Sequence, residues 1–220
     1  MNKVLIIHAH PEPRSFCASL AGIASEALVK EGCEVQVSDL YAMNFNPVGG
    51  EHDFSSRGNA DYFKYQLEQV HAWENGLFTP EVQREMDKLE WCDTLIFNFP
   101  LWWFGLPAIL KGWVDRVFAM GMVYGNGKGV YENGTYPHKT AWACLTTGGP
   151  EVAYNTGRNG DIMQILYPIN HGMFYFAGMR VLQPFISYGP ARKTDEEREA
   201  EIQRYIAYIA QRREAAPLYG

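Results

Sequence analysis

The sequence lacks the features that mark two large functional classes. None of its apolar runs approaches the length of a bilayer-spanning helix, so an integral membrane protein is not expected. Its 19 lysines and arginines are outnumbered by 25 aspartates and glutamates, which gives a formal net charge of −6. Without a basic stripe to neutralise phosphates, nucleic acid is excluded as the main partner.

Cysteine is scarce, and its spacing is uninformative. The four cysteines are Cys17, Cys33, Cys92 and Cys144, and no two of them form a C-x-x-C pair. Their apolar surroundings predict buried free thiols in a reducing compartment rather than disulfides or a metal site. The first apolar stretch ends at His8 with no cleavage site of small residues, so we interpret it as a strand and expect a cytoplasmic protein.

Several catalytic and nucleotide-binding motifs are also missing. The sequence has no G-x-G-x-x-G dinucleotide fingerprint and no G-x-x-x-x-G-K phosphate loop. It has no G-x-S-x-G elbow of the kind that presents a hydrolase serine. Paired His and Cys residues at zinc-ligand spacing are absent too, so neither hydrolysis at such a serine nor zinc chemistry is expected.

The residues that are present predict an α/β fold. The chain has 220 residues, of which 47% are hydrophobic and 14% aromatic, enough for the core of one domain over residues 1–220. Apolar strand-like runs alternate with segments of helical periodicity, which favours a parallel sheet covered by helices on both faces. We predict five strands at 4–7, 33–40, 94–100, 140–149 and 180–189, and helices at 15–32, 78–91, 107–118, 161–179 (interrupted at Pro168) and 194–213. Residues 41–76 are left as a long polar and aromatic segment.

In such a sheet, ligands bind beyond the carboxyl ends of the strands. The loop after the first strand leads into a helix, where Ser15, Phe16 and Cys17 would offer free backbone N–H groups and Arg14 adds positive charge. This loop is therefore an expected anion site. His10 lies beside it, either as a phosphate contact or as a structural histidine with satisfied hydrogen bonds.

Two further loops at the same edge have complementary chemistry. After the third strand, Pro100 is followed by an aromatic wall of Leu101, Trp102, Trp103 and Phe104, some of which could instead be core or dimer contacts. After the fourth strand, Thr146, Thr147, Gly148 and Gly149 would allow close backbone approach and hydrogen bonding to a heteroaromatic edge. Together the three loops describe a site for a planar ring attached to a phosphate, as in a flavin.

Five ordered motifs make the chain resemble a known family. These motifs are "AHPEPRSF", "SDLYAMNFNPV", "FNFPLWWFGLPAILKGWVDRVF", "LTTGG" and "YPINHGMFYFAGMRVLQP". The sequence resembles the flavodoxin-like NAD(P)H:quinone oxidoreductases, the DT-diaphorase family, over roughly residues 3–190. The resemblance implies a doubly wound sheet of order 2-1-3-4-5. It also implies a flavin-bearing homodimer that reduces quinones by ping-pong hydride transfer through flavin N5, with azo or nitro compounds as a further expected class of acceptor.

The resemblance also implies roles for individual residues. His10, Ser15, Phe16 and Cys17 match the phosphate and ribityl loop, and the loops 101–104 and 146–149 match those that hold the ring. Tyr154 matches a tyrosine that hydrogen-bonds the ring, and Asp115 an acidic residue near the cofactor. The resemblance implies a substrate slot that contains Trp103 and Phe104. The second subunit would contribute Tyr124, Gly172 and Phe176 to the same slot.

Departures from the family pattern suggest specific hypotheses. Asn159 stands where relatives have a histidine that stabilises charge on the reduced flavin, and we hypothesise that the adjacent Arg158 or the backbone of residues 146–149 replaces it. Alternatively, Arg158 points to solvent. Trp102 replaces a smaller polar residue, and Asn126 replaces a second tyrosine of the slot.

Two questions stay open at the sequence level. The insert at 61–76, in which Lys64 matches a position near the adenosine half, favours FAD over the alternative FMN. The alternative function is a flavin-binding ancillary subunit of a potassium-efflux type of transporter. A one-electron flavodoxin is disfavoured by the aromatic slot.

Overall fold

The computed structural model describes residues 2–155 and 158–220 and contains the predicted parallel sheet. Its strands pair in the order β2-β1-β3-β4, and β5 and β6 lie one after the other along the far edge of β4. The predicted order is thus confirmed, but the predicted last strand is interrupted at Pro184, which cannot donate to the ladder. The strands are β1 Lys3–His8, β2 Glu34–Asp39, β3 Thr94–Pro100, β4 Thr140–Thr147, β5 Arg180–Val181 and β6 Phe185–Tyr188.

Helices cover both faces of the sheet. The bounds are α1 Phe16–Lys30, α2 Tyr65–Asn75, α3 Pro80–Trp91, α4 Ala108–Val117, α5 Val152–Asn155, α6 Ile162–Ile165, α7 Tyr167–Ile169 and α8 Asp195–Gln211. The core has two layers because neighbouring strand residues point to opposite faces. Leu5 and Phe97 pack with α3 and α4, whereas Ile6 and Ile96 pack with α1 and α8.

The sequence predicted the four long helices that follow or precede strands, α1, α3, α4 and α8. The capping box of Thr194 and Glu197 is present at the start of α8. The region 161–179 does break near Pro168, giving α6, α7 and then a wider π-helical stretch over Asn170–Tyr175. Helix α2 was not predicted, because its stripe of apolar residues is short and two polar residues, Glu68 and Gln69, are buried within it.

A buried arginine fastens the segment before α3 to α4. The Arg116 Nε donates to Asp53 Oδ1 at 2.7 Å, and its Nη1 donates to Glu81 Oε2 at 2.7 Å and to the Asn46 carbonyl at 2.5 Å. Tyr65, the first residue of α2, donates its hydroxyl to Asp53 Oδ2 at 2.5 Å. We call Arg116, its three partners and Tyr65 the Arg116 clamp.

The same segment approaches α4 too closely for a side chain at one position. A Cβ at Gly112 would stand 2.0 Å from the Pro47 carbonyl oxygen, so only glycine fits there. The four cysteines are buried free thiols, as predicted. Among the described residues, no helix is both long and apolar enough to cross a membrane.

Candidate functional site

A cleft of about 690 Å³ opens at the carboxyl ends of β1, β3 and β4. We call it the first cleft. It brings together the three loops that the sequence singled out. Its lining residues are His10, Arg14, Ser15, Phe16, Cys17, Ser19, Pro100, Leu101, Trp102, Thr146, Thr147, Gly148, Pro190, Ala191 and Arg198.

The N-terminus of α1 supplies unpaired donors to the first cleft. The Ser15 Oγ caps the helix by accepting from the Ala18 N–H at 3.1 Å. The N–H groups of Phe16 and Cys17 have no acceptor within the described part of the chain. Because the first N–H groups of a helix lack intrahelical partners and carry partial positive charge, this end of the cleft suits an anion.

His10 lies in this cleft as a neutral donor. Its Nδ1 accepts from the Glu12 N–H at 3.0 Å, which leaves the proton of the neutral ring on Nε2. Partial burial lowers the pKa of His10 below its ordinary value. An Nε2–H donor beside the α1 N-terminus is able to bind an anion without carrying a charge itself.

Cys17 contributes its backbone N–H to the cleft, and its thiol has no reactive role. Its Sγ donates to the Asn98 Oδ1 at 3.5 Å, and the same oxygen lies 2.6 Å from Nδ1 of His8. Burial raises the pKa of the Cys17 thiol well above its ordinary value. The thiol therefore stays protonated at neutral pH and is no nucleophile.

The aromatic loop is a tight turn in a strained conformation. Trp102 and Gly105 exchange backbone hydrogen bonds of 3.2 and 2.9 Å, and the two residues between them have positive φ angles, 49° at Trp103 and 60° at Phe104. A bulky residue in this left-handed region costs about 1–2 kcal/mol. The Trp103 side chain is nevertheless 97% exposed. An exposed indole on a strained turn is typical of a residue held for a ligand or a partner.

A second cleft of about 380 Å³ lies beside this turn. Leu101 and Gly148 line both clefts, so the two are adjacent. The second cleft contains Tyr154 and Asn159, which the sequence had proposed for the ring. Its full lining is Leu101, Trp103, Phe104, Gly148, Gly149, Tyr154, Asn159 and Arg192.

Three of the predicted slot residues, Tyr124, Gly172 and Phe176, gather elsewhere, in a third cleft of about 340 Å³ between α2, α4 and the π-helical stretch. The rings of Tyr124 and Phe176 meet edge to face at 5.6 Å, and Gln66 donates to the Tyr124 hydroxyl at 3.1 Å. Asp115 and Gly172 line the same cleft. It shares no lining residue with the first two clefts, as expected if a second subunit supplies it.

Three predicted site residues line none of these clefts. Lys64 is exposed at the N-cap of α2, and Asn126 donates to Glu74 Oε1 at 2.8 Å. Arg158 is exposed. Their assigned roles stay predictions.

The sequence reasoning missed other residues of the clefts. Arg198 in the first cleft and Arg192 in the second had been given no role, as had Ser19, Pro190 and Ala191. A signal was present: residues 189–198 follow the last strand and so return to the same sheet edge.

Comparisons with known proteins agree with this architecture. A family model described as a flavodoxin-like fold matches residues 2–212. The ribosyldihydronicotinamide dehydrogenase [quinone] of Rattus norvegicus is 41% identical over 206 residues, which cover 93% of this chain and 89% of that protein. The NAD(P)H dehydrogenase [quinone] 1 of the same organism is 38% identical over 221 residues, with coverages of 100% and 80%.

A solved structure is similar over almost the whole chain. A candidate quinone reductase from Klebsiella pneumoniae superposes with a TM-score of 0.95 at 37% identity, covering 99% of this chain and 87% of that one. The resemblance expected from the five motifs is thereby confirmed. The chain belongs to the flavodoxin-like NAD(P)H:quinone oxidoreductase family.

Proposed function

We propose that this protein is a flavin-dependent enzyme that reduces quinones by two electrons at the expense of NAD(P)H. The observation that carries the proposal is that the first and second clefts are adjacent and share Leu101 and Gly148 in their walls. One end offers unpaired N–H groups for phosphate, and the other offers an exposed aromatic turn against which a planar ring stacks. Relatives whose names state quinone dehydrogenase activity support the same conclusion.

The residues present fit a flavin. The N–H groups of Phe16 and Cys17, with His10, would hold the phosphate. The segment Leu101–Phe104 and the loop 146–149 would hold the ring, with Tyr154 at its edge. When bound, the flavin supplies reversible two-electron chemistry, and the chain's residues orient it and exclude water.

The size of the first cleft favours FAD over FMN. Its lining includes Pro190, Ala191 and Arg198 as well as the α1 N-terminus, so space beside these three residues is available to a ligand larger than FMN. Arg198 donates to the carbonyls of Pro190 and Lys193, so its guanidinium is held close to this end. A second phosphate and an adenosine would occupy that space.

A homodimer would complete the site. Trp103 is almost fully exposed in one chain, and the third cleft with Tyr124 and Phe176 has the aromatic walls that a stacking slot needs. We infer that the third cleft of one subunit faces the second cleft of the other. A quinone and the nicotinamide of NAD(P)H would use the slot in turn, and azo or nitro compounds of similar shape would be side substrates.

The test begins with the visible spectrum of the purified protein and identification of the pigment that heat releases. We expect bound FAD and NAD(P)H-dependent quinone reduction by the loaded protein. Trp103→Gly should lower quinone turnover more than about tenfold by removing a stacking wall without a loss of fold, because the indole buries nothing in the single chain. A protein that takes up neither FAD nor FMN would overturn the proposal.

A further inference from the structure

Arg192 is the basic side chain of the second cleft. It shares that cleft with Tyr154, Asn159 and Gly149, the residues expected at the pyrimidine edge of the flavin ring. Arg158, the cation that the sequence suggested for this edge, is exposed and lines none of the clefts described above. The cleft that contains Tyr154 and Asn159 is thus lined by Arg192 and not by Arg158.

The backbone fixes where Arg192 lies. The Gly189 N–H donates to the Thr147 carbonyl at 3.0 Å. Gly189 has a φ of +56°, and a Cβ there would stand 3.3 Å from the Gly149 carbonyl oxygen, so the loop 189–192 packs closely on the loop 146–149. The Arg192 N–H donates to the Gly189 carbonyl at 2.9 Å, closing a single helical turn. Arg198 holds that turn from the other side through the Pro190 carbonyl, at 3.3 Å.

Arg192 also differs from its basic neighbours, because it has no counter-ion in the part of the chain that the structure describes. Lys193 pairs with Glu201 at 2.9 Å, and Arg204 pairs with the same carboxylate at 2.7 Å. Arg198 pairs with Asp195, and across the first cleft Arg14 pairs with Glu12 at 3.2 Å. Among residues 2–155 and 158–220, no carboxylate lies within ion-pair distance of Arg192. Its charge is therefore available to a ligand in the cleft.

The reaction of the proposed function produces a negative charge on the flavin, which a nearby Arg192 would stabilise. NAD(P)H gives up two electrons and one proton as a hydride and leaves as NAD(P)⁺. The flavin ring that accepts this hydride has gained two electrons but only one proton, so it carries one negative charge, at its pyrimidine edge. Asn159 can donate a hydrogen bond there but cannot become cationic.

We propose that Arg192 supplies the positive charge that stabilises the reduced flavin, in the role that a histidine has in relatives of this family. This inference rests on the proposed function. Because a guanidinium is charged at every accessible pH, the stabilisation would not depend on taking up a proton. Arg192 is exposed at the mouth of the cleft, so its effect should weaken as salt is raised.

The test is the midpoint potential of the flavin-loaded protein, measured anaerobically at low salt for the wild type and for Arg192→Gln. The variant should shift the two-electron equilibrium against reduction by about tenfold, which is about 30 mV toward more negative potential. Arg192→Lys should keep most of the wild-type potential. The matched control is Arg84→Gln, which removes the same charge from an exposed position of α3 and should leave the potential unchanged.

The outcomes separate this inference from the function on which it rests. A wild type that binds no flavin overturns both. A loaded, active wild type whose potential equals that of Arg192→Gln overturns the inference alone, as does a shift found only in Arg158→Gln. An Arg192→Gln variant with unchanged potential but a raised KM for NADPH and not for NADH would also overturn it, because Arg192 would then bind a phosphate of the co-substrate.

Discussion

The Arg116 clamp and the clefts at the sheet edge differ in whether their polar groups have protein partners. In the clamp, a guanidinium that is 1% exposed contacts two carboxylates and a carbonyl, so its charge is fully compensated. In the clefts, the N–H groups of Phe16 and Cys17 and the charge of Arg192 have no protein partner in the described residues. In these two regions, the polar groups that stabilise the fold have protein partners, whereas those proposed to contact a ligand have none among the described residues.

The largest expected effect is the loss of stability that follows when the Arg116 clamp is broken. Arg116→Met should lower the free energy of unfolding by about 3–5 kcal/mol, because it leaves Asp53 buried without its counter-ion. Denaturant unfolding of the flavin-free protein measures this change. Arg84→Gln is the control on a neighbouring helix and should change stability by less than about 0.5 kcal/mol. A loss below about 1 kcal/mol for Arg116→Met would show that the clamp is not what fastens the segment.

Two helix N-caps, one in the first cleft and one away from it, test the comparison between the fold and the clefts. Ser15→Ala and Thr194→Ala each remove one N-cap hydrogen bond, at the starts of α1 and α8, and each should cost about 1 kcal/mol of stability. Only Ser15 lies at the proposed phosphate site, so only Ser15→Ala should also weaken flavin binding. Titration of flavin into the two apoproteins checks this, and equal affinities would contradict the assignment of the α1 terminus as the phosphate site.

The smallest expected effect concerns His10 and pH. Burial lowers its folded-state pKa below the ordinary value of 6.5, so the unfolded chain takes up a proton at a higher pH than the folded one. This contribution to stability is complete above the unfolded pKa and is lost as the pH falls below about 6.5. His10→Asn should therefore flatten the stability profile of the flavin-free protein between pH 7 and 5. An unchanged slope for His10→Asn would mean that other groups account for the acid sensitivity.

The sequence by itself determined the sheet, its strand order through family resemblance, and the three loops that form the first cleft. Uniformly apolar strands such as β3 and clear helix signals such as the Thr194 capping box are local, so they can be recognised one segment at a time. The residues at the α1 end of the first cleft were predictable for the same reason, because they lie on one loop and the start of one helix.

Only the tertiary structure decided which distant residues complete the site. Helix α2 is stabilised by contacts such as that of Tyr65 with Asp53, and its own sequence carries a weak helical pattern. The choice between Arg158 and Arg192 depends on how the loop 189–192 packs on Thr147 and Gly149, two regions more than forty residues apart in sequence. The proximity of residues that are far apart in sequence results from tertiary packing, which no local pattern in the sequence encodes.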